Sequence, residues 1–408
     1  MSQIHAPGTR AVSGHDGDDY VNPARDVRSE EMVINMGPQH PATHGVLRVA
    51  VKTDGEVVLD CEAMVGNLHR CKEKIAENVQ YFQFVPYTDR LDYLAAMNNE
   101  ECYTRAVEKL LGLEIPDRMQ WVRLLITELG RVSSHLMSIG TYALDVGAIT
   151  AFLYCFRERE MMNSLFEKIS GGRMLYHFFR VGGMARDVTD EWIQEALELL
   201  DRIEEKSVEY NTLLTYNKVF RERTVGIGVL SPKVAKDWGI TGPALRASGI
   251  DWDVRRDDPY GLYDQVEWKV PVHDGKQSTL GDCWARHWIR AQELLESIKI
   301  CRQAVDKMPK ADPSTQPSSP HHPWMAPGVP RMLRGPRGAE VYVRSENPRG
   351  ELAYYLVSTG ETSPWRCKIR GPGFCNIAVL PEVTRGYLIA DLVAIIGSID
   401  IVLGEVDR

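Results

Sequence analysis

"PDRMQWVRLLITELGRVSSHLMSIGTYALDV", Pro116 to Val146, carries a helical period over its whole length. Pro116 stands at its start, the first-turn position that tolerates a ring without an N–H. Within a run rich in Leu, Ile, Val and Met, the residues Glu128, Arg131, His135, Ser138, Tyr142 and Asp145 fall at i, i+3, i+7, i+10, i+14 and i+17 and so share one stripe. Such a stripe on an otherwise apolar helix has two readings. It is a solvated face or a satisfied structural network, or it is a chain of titratable groups lining a cavity or proton path, where partial burial shifts their pKa values.

Helical periods continue on both sides, over Asp89 to Leu111, Thr150 to Ile169, Asp190 to Tyr216 and Leu280 to Lys307, with Gly112 a natural stop and Asp89 a natural cap. Strand patterns lie at the two ends of the chain. "EMVINM" and "VLRVAVKTDGEVVLDCEAMV" alternate around the turn signal Asp54-Gly55, while "AEVYVRS", "ELAYYLVS" and "WRCKIRG" form a meander whose first pair is joined at Asn347-Pro348-Arg349-Gly350. The predicted fold class is α+β: a central bundle of long helices with small antiparallel sheets from the N- and C-terminal parts. Its divisions are a flexible tail at 1–30, a β region at 31–66, a helical core at 67–307, a Pro-rich extended loop at 308–338 and a β meander with a final helix from about Glu382 at 339–408. Within the core, an irregular insertion at about 217–279 reads as surface loops packing on a partner.

Composition narrows the function classes. The 408 residues carry a net charge of -8, which disfavours nucleic acid as a partner because phosphate binding needs concentrated Lys and Arg. Eight scattered cysteines include no Cys-x-x-Cys, so no zinc ribbon or cysteine-held iron–sulfur cluster can be read from them, and they fit a reducing compartment. The opening thirty residues hold no apolar run of signal-peptide type. The most apolar segment, Gly386 to Val406, is broken by Asp391, Asp400 and Glu405, so no transmembrane segment is expected. No Gly-x-Gly-x-x-Gly follows a strand and no Gly-x-Ser-x-Gly occurs, which removes support for a dinucleotide fold or a serine hydrolase.

Between the first two strands lies "MGPQHPATHGVLR", Met36 to Arg48. Its prolines forbid a helix, so His40 and His44 must be aimed by loop geometry. Three readings stand: imidazoles that brace the loop through the backbone, a metal site lacking companion ligands, or a proton-donating His beside a substrate. "GNLHRCKEK" and "PYTDRLDYLAAMNNE" are dense in Arg, His and Tyr where sheet gives way to helix, and read singly as helix-start residues.

Taken in order, "GPQHPATHGVLR", "LHRCKEK", "DRLDYLAAMNNE", "DVGAITAFLYCFRERE", "TGPALR", "RGELAYYLVS" and the final "DIVLGEVDR" resemble one family across nearly the whole chain: the D, or 49-kDa, subunit of proton-pumping NADH:quinone oxidoreductase, respiratory complex I. The resemblance implies a fold like the large subunit of nickel–iron hydrogenases and a quinone site shared with the B subunit. It implies that His40, His44 and Tyr93 bind quinone, His44 and Tyr93 by hydrogen bonds to its head, and that Asp145 pairs with His44. It also implies that Arg70 and Arg90 lie beside the terminal iron–sulfur cluster, which the B subunit ligates, so this chain binds no cofactor or metal alone and takes quinone as substrate. Expected partners are the B, C and I subunits and the membrane-embedded H subunit, with the chain peripheral on the cytoplasmic side of the bacterial inner membrane.

Two positions depart from the family pattern. Cys71 follows Arg70 where many members have Gly, and Leu175 follows "GGRM" where members with a pH-dependent cluster carry His, leaving His177 two residues on. Two rival readings remain. A nickel–iron hydrogenase large subunit needs paired cysteines near both ends, but this chain offers only Cys71 at the first place and none in "DIVLGEVDR". A docking scaffold would need no chemistry at all.

Overall fold

The Pro116–Val146 stretch forms a single helix of 29 residues, Asp117–Asp145, with Pro116 as its N-cap residue. It is buried on nearly every side, which makes it the axis of the molecule. The helix Cys283–Lys307 and the helix Ile149–Ser170 pack along it, and Asp190–Tyr210 packs on the latter. The side chains of Thr189 and Asp282 accept from the Trp192 and Ala285 N–H groups and fix the starts of two of these helices. Gly112, at φ 66°, closes the helix Ala96–Leu111 in the left-handed region that glycine enters freely. The computed structural model describes residues 31–40, 43–312 and 322–408. The tail expected at 1–30, Pro41 and Ala42 of the histidine loop, and 313–321 of the Pro-rich stretch lie outside it.

Three small antiparallel sheets surround this core. The first joins β1 (Met32–Met36), β2 (Arg48–Asp54) and β3 (Val57–Met64) in that order, so the histidine loop does connect two strands. A second joins β4 (Phe179–Arg180) and β5 (Gly183–Met184) to β6 (Trp324–Met325). The expected meander is present as β7 (Glu340–Asn347), β8 (Gly350–Val357) and β9 (Arg366–Arg370). Its inner face meets the helix Ala96–Leu111 through Tyr354 and Tyr103, whose rings cross edge-on with centroids 5.4 Å apart. The α+β reading therefore holds.

Five local expectations are corrected. The helix expected from Asp89 begins only at Ala96, after a separate helix Tyr81–Thr88. Asp89 does not start a helix but ends Tyr81–Thr88 as its C-cap residue; its buried carboxylate accepts the His177 N–H at 3.0 Å, and the Asp92 side chain turns the chain by accepting Leu94 N–H at 3.2 Å. The helix expected to reach Tyr216 is α-helical to Tyr210 and widens into a π-turn over Asn211–Thr215. The single final helix is a series of short ones, among them Ile389–Ile399, which ends at Asp400 in a left-handed conformation of φ 59°. Finally, the 217–279 insertion is not all surface loop. Ile240–Ser248 is buried, because Gly242 lets two backbones touch and Arg246 finds carboxylates inside. Part of the Pro-rich stretch is also ordered, since Trp324–Met325 adds a strand.

Gly242 has φ +70°, and a Cβ there would lie 2.4 Å from Gly350 Cα. Gly242→Ala is therefore expected to cost about 2 kcal/mol or more. Chemical denaturation of the purified chain checks this, and an unchanged midpoint would contradict the close approach.

Candidate functional site

The polar stripe of the central helix divides into a structural part and an open end. Glu128 accepts from Tyr263 Oη at 2.5 Å and pairs with Arg131 at 3.2 Å and Arg255 at 3.3 Å. His135 Nε2 lies 3.0 Å from Glu293, which also receives Arg246, and Arg246 reaches Glu346 at 2.8 Å. Every one of these groups is buried. Burial alone would raise Glu293, but Arg246 and His135 hold it below the ordinary carboxylate range. At the upper end, then, the satisfied-network reading holds: each charge has its counter-charge, as low-dielectric burial demands.

At the other end the helix stops on Asp145. A carboxylate there faces the negative pole of the helix and needs a cation. His44 supplies one: its Nε2 lies 2.9 Å from Asp145 Oδ2, with side-chain exposures of 16% and 8%. Two features of the loop aim that imidazole. Thr43 donates its N–H and its hydroxyl to the His40 carbonyl at 3.1 and 2.7 Å, closing a turn. His44 then takes φ 49°, a left-handed conformation uncommon outside glycine. Gly397 completes the cradle, since a Cβ there would fall 2.4 Å from Asp145 Oδ2. Burial depresses the pKa of His44, yet the hydrogen bond and charge of Asp145, with the charge of Asp400, outweigh it, and the net shift is upward. Arg349 opposes that rise. With Nε2 on Asp145, Nδ1 is the nitrogen left to face a ligand.

Tyr93 sits on the turn before Ala96, half-buried. Burial raises its phenol above the ordinary value and the charge of Arg349 lowers it. His44 and Tyr93, 49 positions apart in sequence, thus both feel one guanidinium. His40 is exposed on the loop and contributes its carbonyl to the turn.

Arg70 and Arg90 are exposed and come together around Lys72, which the sequence reading passed over. Burial and these two arginines push the Lys72 ammonium down to about 8, and it donates to the Arg90 and Gly404 carbonyls. The C-terminal segment locks this corner: Asp407 accepts from the Gly66 and Leu68 N–H groups at 2.8 and 2.6 Å. Cys71 adopts φ 54°, where a glycine would be unstrained. His177 is also left-handed, at φ 44°, and burial with Arg180 and Arg90 pushes it down to about 4, so its imidazole stays neutral near pH 7.

Asp92, Arg349, Asp400 and Glu405 also belong to this region, and all four stand within the family-like motifs without any local signal of a role. A cleft of about 520 Å³ near Arg105, Arg123 and Tyr263 is lined by neither His44, Tyr93 nor Asp145. Among the described residues no helix is long and apolar enough to cross a membrane, and no group of three or more His, Cys, Asp or Glu is arranged to hold a metal ion.

Comparison with known proteins gives a consistent result. The family described as "Respiratory-chain NADH dehydrogenase, 49 Kd subunit" matches residues 145–408. Over its length the chain is similar to the D subunit of NADH-quinone oxidoreductase from Chlorobium luteolum, 51% identical with 96% of this chain and 97% of the relative covered. The proteins of the same name from Pelodictyon phaeoclathratiforme and Chlorobaculum tepidum are 50% and 51% identical, covering 100% of both chains and 96% of both chains respectively.

Because His44 is raised above its ordinary 6.5, its ion pair stabilises fully below that pH and fades as pH climbs through the raised value. Asp145→Asn should therefore cost about 1–2 kcal/mol of unfolding free energy at about pH 6, and much less at about pH 9. Urea unfolding at the two pH values reads the difference, and an equal or larger loss at the higher pH would contradict the pairing.

Proposed function

The chain belongs to the family of the D subunit of NADH-quinone oxidoreductase, the 49-kDa subunit of respiratory complex I, and from that membership we propose that His44 and Tyr93 grip the two carbonyl oxygens of a quinone. It is a quinone-site subunit of an oxidoreductase complex, and the hydrogenase reading has no support. The observation that carries the site assignment is the His44–Asp145 contact of 2.9 Å, which favours the protonated imidazole and leaves Nδ1 to face the ligand.

Reducing a quinone to a quinol adds two electrons and two protons, with negative charge developing on both oxygens. Tyr93 Oη–H gives one proton and His44 Nδ1–H the other, each along an existing hydrogen bond. The phenol, raised by burial, remains protonated until that charge appears. Hydrogen bonds to a charged partner are worth about 1.5–3 kcal/mol each, so both strengthen as reduction proceeds. Once His44 is neutral, the charge attraction to Asp145 is lost and only a neutral Nε2–H hydrogen bond remains. A carboxylate loosened in this way can turn toward the membrane arm and carry an electrostatic signal to proton translocation.

Arg70, Arg90 and Lys72 form a cationic corner, which suits a neighbour bearing an anionic group such as a thiolate-ligated iron–sulfur cluster on the B subunit. That cluster, when bound there, supplies the electrons. Family membership further supports contacts with the B, C, I and H subunits, a peripheral position on the cytoplasmic side of the inner membrane, His40 as a third quinone-binding residue, and kinship of the helical core with the hydrogenase large subunit. In this reading the chain furnishes one wall of the quinone cavity and the neighbouring subunits the rest.

In the assembled complex, Tyr93→Phe and His44→Ala should each lower quinone reduction by about 10²-fold while NADH oxidation by ferricyanide, which bypasses the quinone site, continues. Loss of assembly with no assembled inactive complex would favour a docking scaffold instead. Asp145→Asn should impair proton pumping, and normal rates of both reduction and pumping would refute the release step.

A further inference from the structure

We propose that Arg349 is a positioning residue for quinone reduction, one guanidinium that bridges the turn carrying Tyr93 to the Asp400 segment that faces His44. The proposal rests on the reading of His44 and Tyr93 as the two quinone-binding groups.

Arg349 occupies the tight turn between β7 and β8 and is 1% exposed. Its Nη1 donates to Asp92 Oδ2 at 2.6 Å and to Ser134 Oγ at 3.2 Å. Its Nη2 donates to Asp400 Oδ1 at 3.2 Å and its Nε to the Asp400 carbonyl at 3.0 Å. Asp92 is the residue before Tyr93. The side chain therefore uses its planar fork to tie a turn at one end of the chain to a strained, left-handed residue at the other. A lysine could not make these contacts.

The charges are arranged in opposition. At His44, Asp400 favours the proton and Arg349 disfavours it. At Tyr93, Asp92 favours the proton and Arg349 disfavours it. The cation thus offsets, at each donor, the same carboxylate that it binds. The other groups facing this cluster are Glu405, which burial and Asp92 raise to about 8, His135 on the central helix, Arg290 at 3.6 Å from Asp400, and Asp145 on the far side of His44. None of them contacts both Asp92 and Asp400.

A purely structural role would affect assembly or rate but leave the pH dependence in place. The positioning role shifts it, in opposite directions for two variants. Removing the cation strengthens proton binding at both donors, so Arg349→Gln should move the alkaline limb of quinone reduction to higher pH by about one unit. Asp400→Asn keeps the cation and removes an anion that favours protonated His44, so it should move the same limb to lower pH. Both are read in the assembled, membrane-bound complex as NADH-driven reduction of a short-chain ubiquinone analogue across pH, with ferricyanide reduction as the control for electron entry. Superimposable profiles, or shifts in the same direction, would overturn the proposal. If Arg349→Gln fails to assemble, Asp400→Asn decides alone, and an unmoved limb overturns it. Should Tyr93→Phe and His44→Ala leave quinone reduction intact, the underlying reading fails; should they abolish it while the Arg349 and Asp400 profiles stay put, only the positioning role fails.

Discussion

A helix buried on nearly every side cannot carry charge inward unless the rest of the chain brings counter-charge to it. This requirement organises the molecule. Glu128, Arg131 and His135 project from the central helix into the buried interior, and Arg255, Arg246, Glu293 and Glu346 arrive from four other elements to meet them. Leaving one such charge unpaired costs on the order of 3–5 kcal/mol, which is comparable to the whole stability of many domains. The segments that deliver the partners are thereby fixed in place, including the short Pro243–Ala247 helix that a composition-based reading assigns to the surface. Because Arg246 serves Glu293, Glu346 and Asp253 together, this one side chain helps to lock the helical core to the C-terminal meander.

The same rule turns into chemistry where the stripe reaches the edge. Asp145 is paired like the others, but its partner is an imidazole on a loop, not a guanidinium in the core. An arginine in that place would never yield its proton; a histidine, whose proton Asp145 favours, can give it up to an oxygen on which negative charge develops. On the proposed reading, the charge that answers a buried carboxylate is therefore also the one that reduction removes. Arg349 extends this logic to Tyr93, since the two donors answer to one cation.

Much of this was legible from the residues. The period of Pro116–Val146 located the axis, the alternation around Asp54-Gly55 and Asn347-Gly350 located two sheets, and the spacing of the polar stripe marked the face where the network forms. The partnership of His44 with Asp145, implied by family resemblance, appears as a direct contact. What failed were readings made from local composition. Asp89 looked like a cap because capping residues and buried acids share an identity; only the His177 backbone, 88 residues away, distinguishes them. Gly242 looked like a loop glycine because sequence does not reveal that Gly350 passes within reach. Arg349 and Lys72 carried no signal of their own, since nothing about a lone cation predicts that both its partners lie in the interior.

The central claim concerns which groups hold the quinone head. A structure of the assembled complex with a bound quinone analogue tests it most directly. The account expects one head-group oxygen within about 3 Å of His44 Nδ1 and the other within about 3 Å of Tyr93 Oη, with His44 Nε2 still turned to Asp145. A head group seated in a different hollow, or bound to side chains other than these two, would contradict it.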